Sequence, residues 1–120
     1  MISIVDDDEA VRESTEGLVR SLGYLAATFS SAEEFLSSER LHHTSCLITD
    51  LQMPGLSGVE LQRRLIAGGH HMPIIFISGS VDISTAVRAI RDGAVDFLQK
   101  PYPQHQLMDA IKKAMRGACG

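Results

Sequence analysis

Cysteine is scarce in this chain, with two in 120 residues. Cys46 lies in an apolar run and Cys119 in the terminal tail, so they offer neither a disulfide framework nor metal-ligand spacing, as suits a reducing cytosol. Basic residues are also in the minority, 11 Lys and Arg against 15 Asp and Glu, for a net charge of -4. Such a balance argues against nucleic acid as a direct partner, because binding a phosphate backbone needs a positive surface. No apolar run exceeds strand length, so no segment is expected to span a membrane. The N-terminus has no basic, apolar, small-residue leader, and there is no internal repeat, low-complexity tract or interdomain linker. These absences lead us to expect a cytoplasmic, non-membrane protein.

What is present is ordinary: 44% hydrophobic and 22% charged residues, the proportions of a globular domain. The length is that of one domain with a real core. Short apolar runs alternate with amphipathic stretches five times. The predicted strands are Ile2–Val5, Leu25–Phe29, Cys46–Thr49, Ile74–Ser78 and Val95–Gln99. Several are almost continuously apolar, as strands covered on both faces should be.

The stretches between them read as helices. Val11, Thr15, Leu18 and Leu22 keep helical spacing, and Gly23 stops that helix. Ser31 with Glu34, and Ser57 with Glu60, have the spacing of capping boxes. Gly68-Gly69 ends the third helix. The fourth carries Ile83, Val87 and Ile90 and closes at Gly93. The last aligns Leu107, Ile111 and Met115 and is expected to fray into Gly117–Gly120. Alternating β and α elements at this length imply one parallel sheet with helices on both sides. The start at a strand and the short small-residue tail suggest an excised domain.

Ligands of such folds bind beyond the carboxyl ends of the strands, where Asp6, Asp7, Asp50, Ser78 and Lys100 all fall. Carboxylates crowded at one edge disfavour each other's ionisation. A hard cation such as Mg²⁺ resolves that conflict by taking oxygen ligands. One carboxylate can then attack a phosphoryl group to form an aspartyl phosphate. Lys100, the Ser78 hydroxyl and loop amides can balance the phosphoryl oxygens.

Taken together, several segments resemble a known family. They are Ile4-Val5-Asp6-Asp7-Asp8, Thr49-Asp50-Leu51-Gln52-Met53-Pro54-Gly55, Ser57-Gly58, Ile77-Ser78-Gly79, Gly93-Ala94-Val95-Asp96-Phe97 and Lys100-Pro101. In this order and at these separations the chain is similar to two-component response-regulator receiver domains, across essentially its whole length. Ser31–Leu36 and Gly93–Pro101 most resemble regulators of the FixJ type, which carry a helix-turn-helix output domain.

The resemblance implies a CheY-like, flavodoxin-like doubly wound (βα)5 fold with a five-stranded parallel sheet in the order 2-1-3-4-5. Residues 1–120 would be the receiver domain, with the output domain not in this chain. It further implies that Asp50 is the phosphoacceptor and that Asp7 ligates Mg²⁺. Asp6 would act on the metal through water, and Gln52 through its backbone carbonyl. Lys100 would pair with the phosphoryl group, through a cis peptide to Pro101. Ser78 would be the switch hydroxyl and Phe97 the coupled aromatic.

The implied partners are a sensor histidine kinase and, on activation, a second copy of the domain. That copy would dock through the surface of the fourth helix, fifth strand and fifth helix. DNA would be reached only through the absent output domain. Ser78, Phe97 and Tyr102 stand where threonine, tyrosine and phenylalanine are frequent in the family, and none of these changes removes a required group. Gln52 and Ser80 occupy loop positions that can influence how water reaches an aspartyl phosphate.

Other readings compete. An aspartate at a strand end is commonly a turn or cap residue, and Asp8 is read as the cap of the first helix. Phe97 alone would be core, Lys100 a surface lysine and Ser78 a buried hydroxyl. His42-His43 and His70-His71 fall in predicted loops without converging ligands. Lys112, Lys113 and Arg116 suit a helix C-terminus. A small Mg²⁺-dependent phosphohydrolase would usually need a second aspartate where Gln52 stands, and a cap that is missing. A receiver-like interaction module that is never phosphorylated would be expected to lack one of the acids or the lysine. The chain therefore reads as a switch catalysing its own phosphotransfer and dephosphorylation, not as a substrate-turnover enzyme.

Overall fold

The structure, a computed structural model, describes residues 1–79 and 83–119. Ser80 lies outside them. In chain order the elements are β1 (Ile2–Val5), α1 (Glu9–Ser21), β2 (Ala26–Phe29), α2 (Ala32–Leu36), a 3-10 turn (Glu39–His43) and β3 (Cys46–Asp50). There follow α3 (Gly58–Ala67), β4 (Ile74–Ser78), α4 (Ile83–Arg91), β5 (Asp96–Gln99) and α5 (Gln104–Cys119). The strands form one parallel sheet in the order β2-β1-β3-β4-β5. This is the doubly wound topology the sequence led us to expect. No helix among the described residues is long and apolar enough to cross a membrane.

Strand side chains alternate between two cores, because successive residues point to opposite faces. Ile2, Ile4, Cys46, Ile48, Ile75, Ile77 and Leu98 pack with Leu18 and Val19 of α1 and Leu107 and Ile111 of α5. Val5, Phe29, Leu47 and Phe76 pack with Phe35 of α2, Leu61 and Leu65 of α3 and Ala89 of α4. Both faces are covered, which accounts for the unbroken apolar runs. Burial pushes the Cys46 thiol up to about 12, so it behaves as core and not as a nucleophile.

Local chemistry sets the helix starts. Asp8 caps α1, its carboxylate accepting from the amides of Ala10 and Val11 at 2.9 and 3.2 Å. Ser31 and Ser57 accept from the amides of Glu34 and Glu60 at 3.1 and 3.2 Å. The glutamates do not return to the cap amide as in a full capping box. Glu34 accepts from the amide and hydroxyl of Ser30 at 3.1 and 2.7 Å, and Glu60 faces the Ser57 hydroxyl at 3.3 Å.

Three expectations change. α5 continues to Cys119 instead of fraying at Gly117. One glycine costs a helix only about 1 kcal/mol relative to alanine, too little to end one anchored by packed turns. His42 and His43 belong to a 3-10 turn whose cap is Ser38, accepting from the Arg40 amide at 3.1 Å. On α4 the large residues Val87 and Ile90 face outward, 50% and 43% exposed, while Ala89 is fully buried. The buried Gln62 side chain of α3 donates to the Ala89 carbonyl at 3.0 Å, tying the two helices together.

Candidate functional site

Three chain segments converge at the carboxyl edge of the sheet. Asp6 follows Ile2 and Ile4 in phase, Asp50 follows Cys46 and Ile48, and Lys100 follows Leu98. The strand alternation thus aims all three toward the α1/α5 side. They meet between β1 and β3, the switch point where chain progression across the sheet reverses. Lys100 reaches across β4, and its ammonium lies 3.3 Å from Asp50 Oδ2 and 3.6 Å from Asp6 Oδ2. The Lys100-Pro101 peptide is cis.

Each acid is held differently. Asp6 is fully buried, its Oδ1 accepting from the Asp8 amide at 2.9 Å. Its main-chain carbonyl accepts from Arg12 Nη1 at 2.7 Å. Asp50 is 8% exposed, so it is braced yet reachable from solvent. Its Oδ1 accepts from the Gln52 amide at 3.0 Å. Asp7 is exposed.

Electrostatics follow from this packing. Burial pushes Asp6 above the ordinary carboxylate value. The Asp8 amide and Lys100 pull it down, and the charges of Asp50 and Asp7 push it up again. Burial alone would lower Lys100, but Asp6 and Asp50 outweigh it and hold the ammonium above its usual value. Because the folded Asp6 binds its proton more tightly than the unfolded one, folding takes up a proton just above the ordinary value of 3.8. Stability of the metal-free domain should therefore fall as pH rises through that window. Urea unfolding in EDTA at stepped pH checks this, and Asp6→Asn is expected to remove the Asp6 part of the fall.

A carboxylate oxygen from each of Asp6, Asp7 and Asp50 lies within 4.8 Å of the others. Asp6 Oδ2 is buried without a hydrogen-bond partner, an acceptor still wanting a positive neighbour beyond Lys100. An all-oxygen donor set of this kind fits a hard divalent cation.

Ser78 ends β4, is 1% exposed, and gives its carbonyl to the Lys100 amide at 2.7 Å. Two residues beyond Phe76, it falls on the α3/α4 side. Phe97 pairs with Phe76 in register and packs half-buried against the same core. By strand alternation Ser78 and Phe97 share the sheet face covered by α4, with Ser78 at the strand end that borders the acids. Gln52 is exposed, with its amide engaged by Asp50.

Local sequence did not reveal the residues that brace this edge. Glu33 of α2 accepts from the Leu56 amide at 3.2 Å, securing the loop after Asp50 across 23 residues. Arg12 fixes the Asp6 carbonyl. Gly58 lets α3 approach the end of β3. All three lie in or beside segments that carry the resemblance, but nothing in their neighbours marks these long-range contacts.

Fold and edge together define a doubly wound α/β domain with an acid-and-lysine pocket at its switch point. The chain belongs to the response regulator receiver domain family, whose profile matches residues 2–112. It is 47% identical over 116 residues to the response regulator protein TodT of Pseudomonas putida, covering 97% of this chain and 51% of that protein. It is 39% identical over 114 residues to the transcriptional regulatory protein FixJ of Azorhizobium caulinodans, covering 95% and 54%. Among solved structures, response regulator StyR superposes with a TM-score of 0.91 at 42% identity, over 98% of this chain and 60% of that one. FixJ-N superposes with a TM-score of 0.85 at 38% identity, over 96% and 92%. The chain spans about half the length of the curated relatives it matches. Its class is therefore the receiver domain of two-component response regulators.

Proposed function

We propose that Asp50 accepts a phosphoryl group from the phosphohistidine of a sensor histidine kinase, and that residues 1–120 form the receiver domain of a longer, cytoplasmic transcriptional regulator. The observation carrying this reading is the Asp50 carboxylate itself. One of its oxygens is pinned by the Gln52 amide, the other faces Lys100, and Asp6 and Asp7 stand alongside.

In the transfer an Asp50 oxygen forms a bond to phosphorus as the nitrogen–phosphorus bond breaks, leaving the kinase imidazole to take up a proton. Lys100 keeps its positive charge beside the acceptor and follows the arriving phosphoryl oxygens. Ser78 turns its hydroxyl toward them, and Phe97 moves inward behind it on the same face of the sheet. Val87 and Ile90, already exposed on α4, then give the α4-β5-α5 surface an apolar centre for pairing with a second copy. Water attack at phosphorus resets Asp50. Output to DNA belongs to a further domain.

Mg²⁺ would be held by Asp7 and Asp50, with the Gln52 carbonyl and, through water, Asp6. When bound, it neutralises the crowded carboxylates and the incoming phosphoryl charge. Cation binding to the native state alone adds about 2.7 kcal/mol at a concentration 100-fold above Kd. Thermal unfolding should therefore shift upward with Mg²⁺, and Asp7→Asn should remove most of that shift.

The test of the whole reading is incubation with Mg²⁺ and acetyl phosphate, followed by intact mass. One phosphoryl adduct is expected, and it should be absent in EDTA. A folded chain that gains no adduct would make this a receiver-like module that is not phosphorylated.

A further inference from the structure

The amino-terminal edge of the sheet, opposite Asp50, gathers histidines that the phosphoacceptor reading leaves unused. His42 lies in the turn before β3 and His70 in the loop before β4. These strands are hydrogen-bonded neighbours, so two segments 28 positions apart arrive at one place. Their rings stand 5.6 Å apart, centroid to centroid, and are inclined by 51°. They line an open cavity of about 420 Å³ with Leu41, Thr44, His71 and Met72. His70 is half-buried, and its ring lies close over Gly68, where an added Cβ would stand 3.2 Å from Cδ2. Its main-chain amide is fastened to the Leu65 carbonyl at 2.8 Å. The loop that presents this imidazole is therefore anchored to the end of α3.

We infer that His42 and His70 form a two-imidazole site for a nitrogen-preferring divalent transition metal, such as Zn²⁺, Ni²⁺ or Cu²⁺. In a tetrahedral complex with metal–nitrogen bonds of about 2.0–2.1 Å, two imidazole centroids lie roughly 5 Å apart. The observed centroid separation of 5.6 Å is close to that value. Imidazole selects these metals over Mg²⁺, which takes oxygen ligands. The site thus differs in ligand chemistry from the acid pocket at the far edge. Among the described residues, only Asp6, Asp7 and Asp50 bring three ligand atoms within 4.8 Å. The histidine site accordingly offers two protein ligands and leaves its other positions to water. A bound metal would clamp the 3-10 turn to the loop before β4.

The experiment is calorimetric titration of the full chain with Zn²⁺ in excess Mg²⁺, which keeps the acid pocket engaged. One Zn²⁺ per chain is expected. His42→Gln and His70→Gln should each weaken binding by at least about tenfold, the scale seen even for partners of metal ligands. His105→Gln, on the exposed side of α5, should leave it unchanged. Substoichiometric Cu²⁺ should broaden amide resonances around residues 42 and 70 first. Zn²⁺ affinity unchanged in either variant, no Zn²⁺ uptake by the native chain, or broadening centred elsewhere would each overturn the assignment. Thermal unfolding of both variants establishes that they fold.

Discussion

Asp50→Asn, incubated with Mg²⁺ and acetyl phosphate, should show no phosphoryl adduct by intact mass under conditions that modify the native chain completely. The substitution keeps the shape of the side chain but replaces a carboxylate with an amide, which is not a nucleophile toward phosphorus. It also removes the charge that Lys100 faces at 3.3 Å. The neighbouring acids cannot substitute, for separate reasons. Asp6 is fully buried, and one of its oxygens is occupied by the Asp8 amide. Asp7 is exposed and forms no ion pair with Lys100, whose salt bridges run to Asp6 and Asp50. An adduct persisting at native level in the variant would move the nucleophile away from Asp50 and sink the proposal.

The second large effect is on stability. Gly58→Ala should destabilise the domain by about 3 kcal/mol or more, beyond the ordinary cost of overpacking. A Cβ at Gly58 would stand 2.5 Å from the Asp50 carbonyl oxygen and 2.9 Å from Leu51 Cα. Both are backbone atoms at the end of the central strand, so no rotamer change can relieve them. α3 would have to retreat, loosening the Gly58 amide from the Leu51 carbonyl, a 2.9 Å bond. It would also draw the buried Leu61 and Leu65 out of the core. A fall of roughly 10 °C or more in Tm is expected for a domain of this size. Gly17→Ala serves as the contrast. Gly17 lies within α1 with nothing within 4 Å of an added Cβ, so there alanine should stabilise by about 0.5–1 kcal/mol. Equal Tm changes in the two variants would show that the close approach at Gly58 does not matter. Because the clash falls on Asp50 itself, phosphoryl uptake by Gly58→Ala should also slow.

Much of this fold was legible in the chain because its signals are local. The runs Ile2–Val5 and Ile74–Ser78 coincide with β1 and β4, and the other strands shift by a residue at one end. Leu25 drops out of β2, being 71% exposed, and β3 gains Asp50. The caps at Asp8, Ser31 and Ser57 were visible because a cap joins residues two or three apart. The 3-10 turn at Glu39–His43 was not, since five residues are too few to show helical periodicity and the Ser38 cap alone does not mark one. The outward face of α4 was misleading for a different reason. Val87 and Ile90 keep helical spacing, but which face is buried depends on the helix neighbours. Beside Gln62 and Phe76 the fitting residue is Ala89.

What the sequence determined by itself is the alternation of elements, hence the parallel sheet and the edge at which Asp6, Asp7, Asp50, Ser78 and Lys100 gather. Those consequences need only periodicities of two and 3.6 residues and the rule that ligands sit beyond strand ends. The tertiary structure alone decided how that edge is held: Lys100 reaching over β4 to two acids, Glu33 bracing the loop after Asp50, and Gly58 admitting α3. It alone also brought His42 to His70. Contacts between residues tens of positions apart depend on strand order and helix approach. No local pattern of side chains encodes those distances.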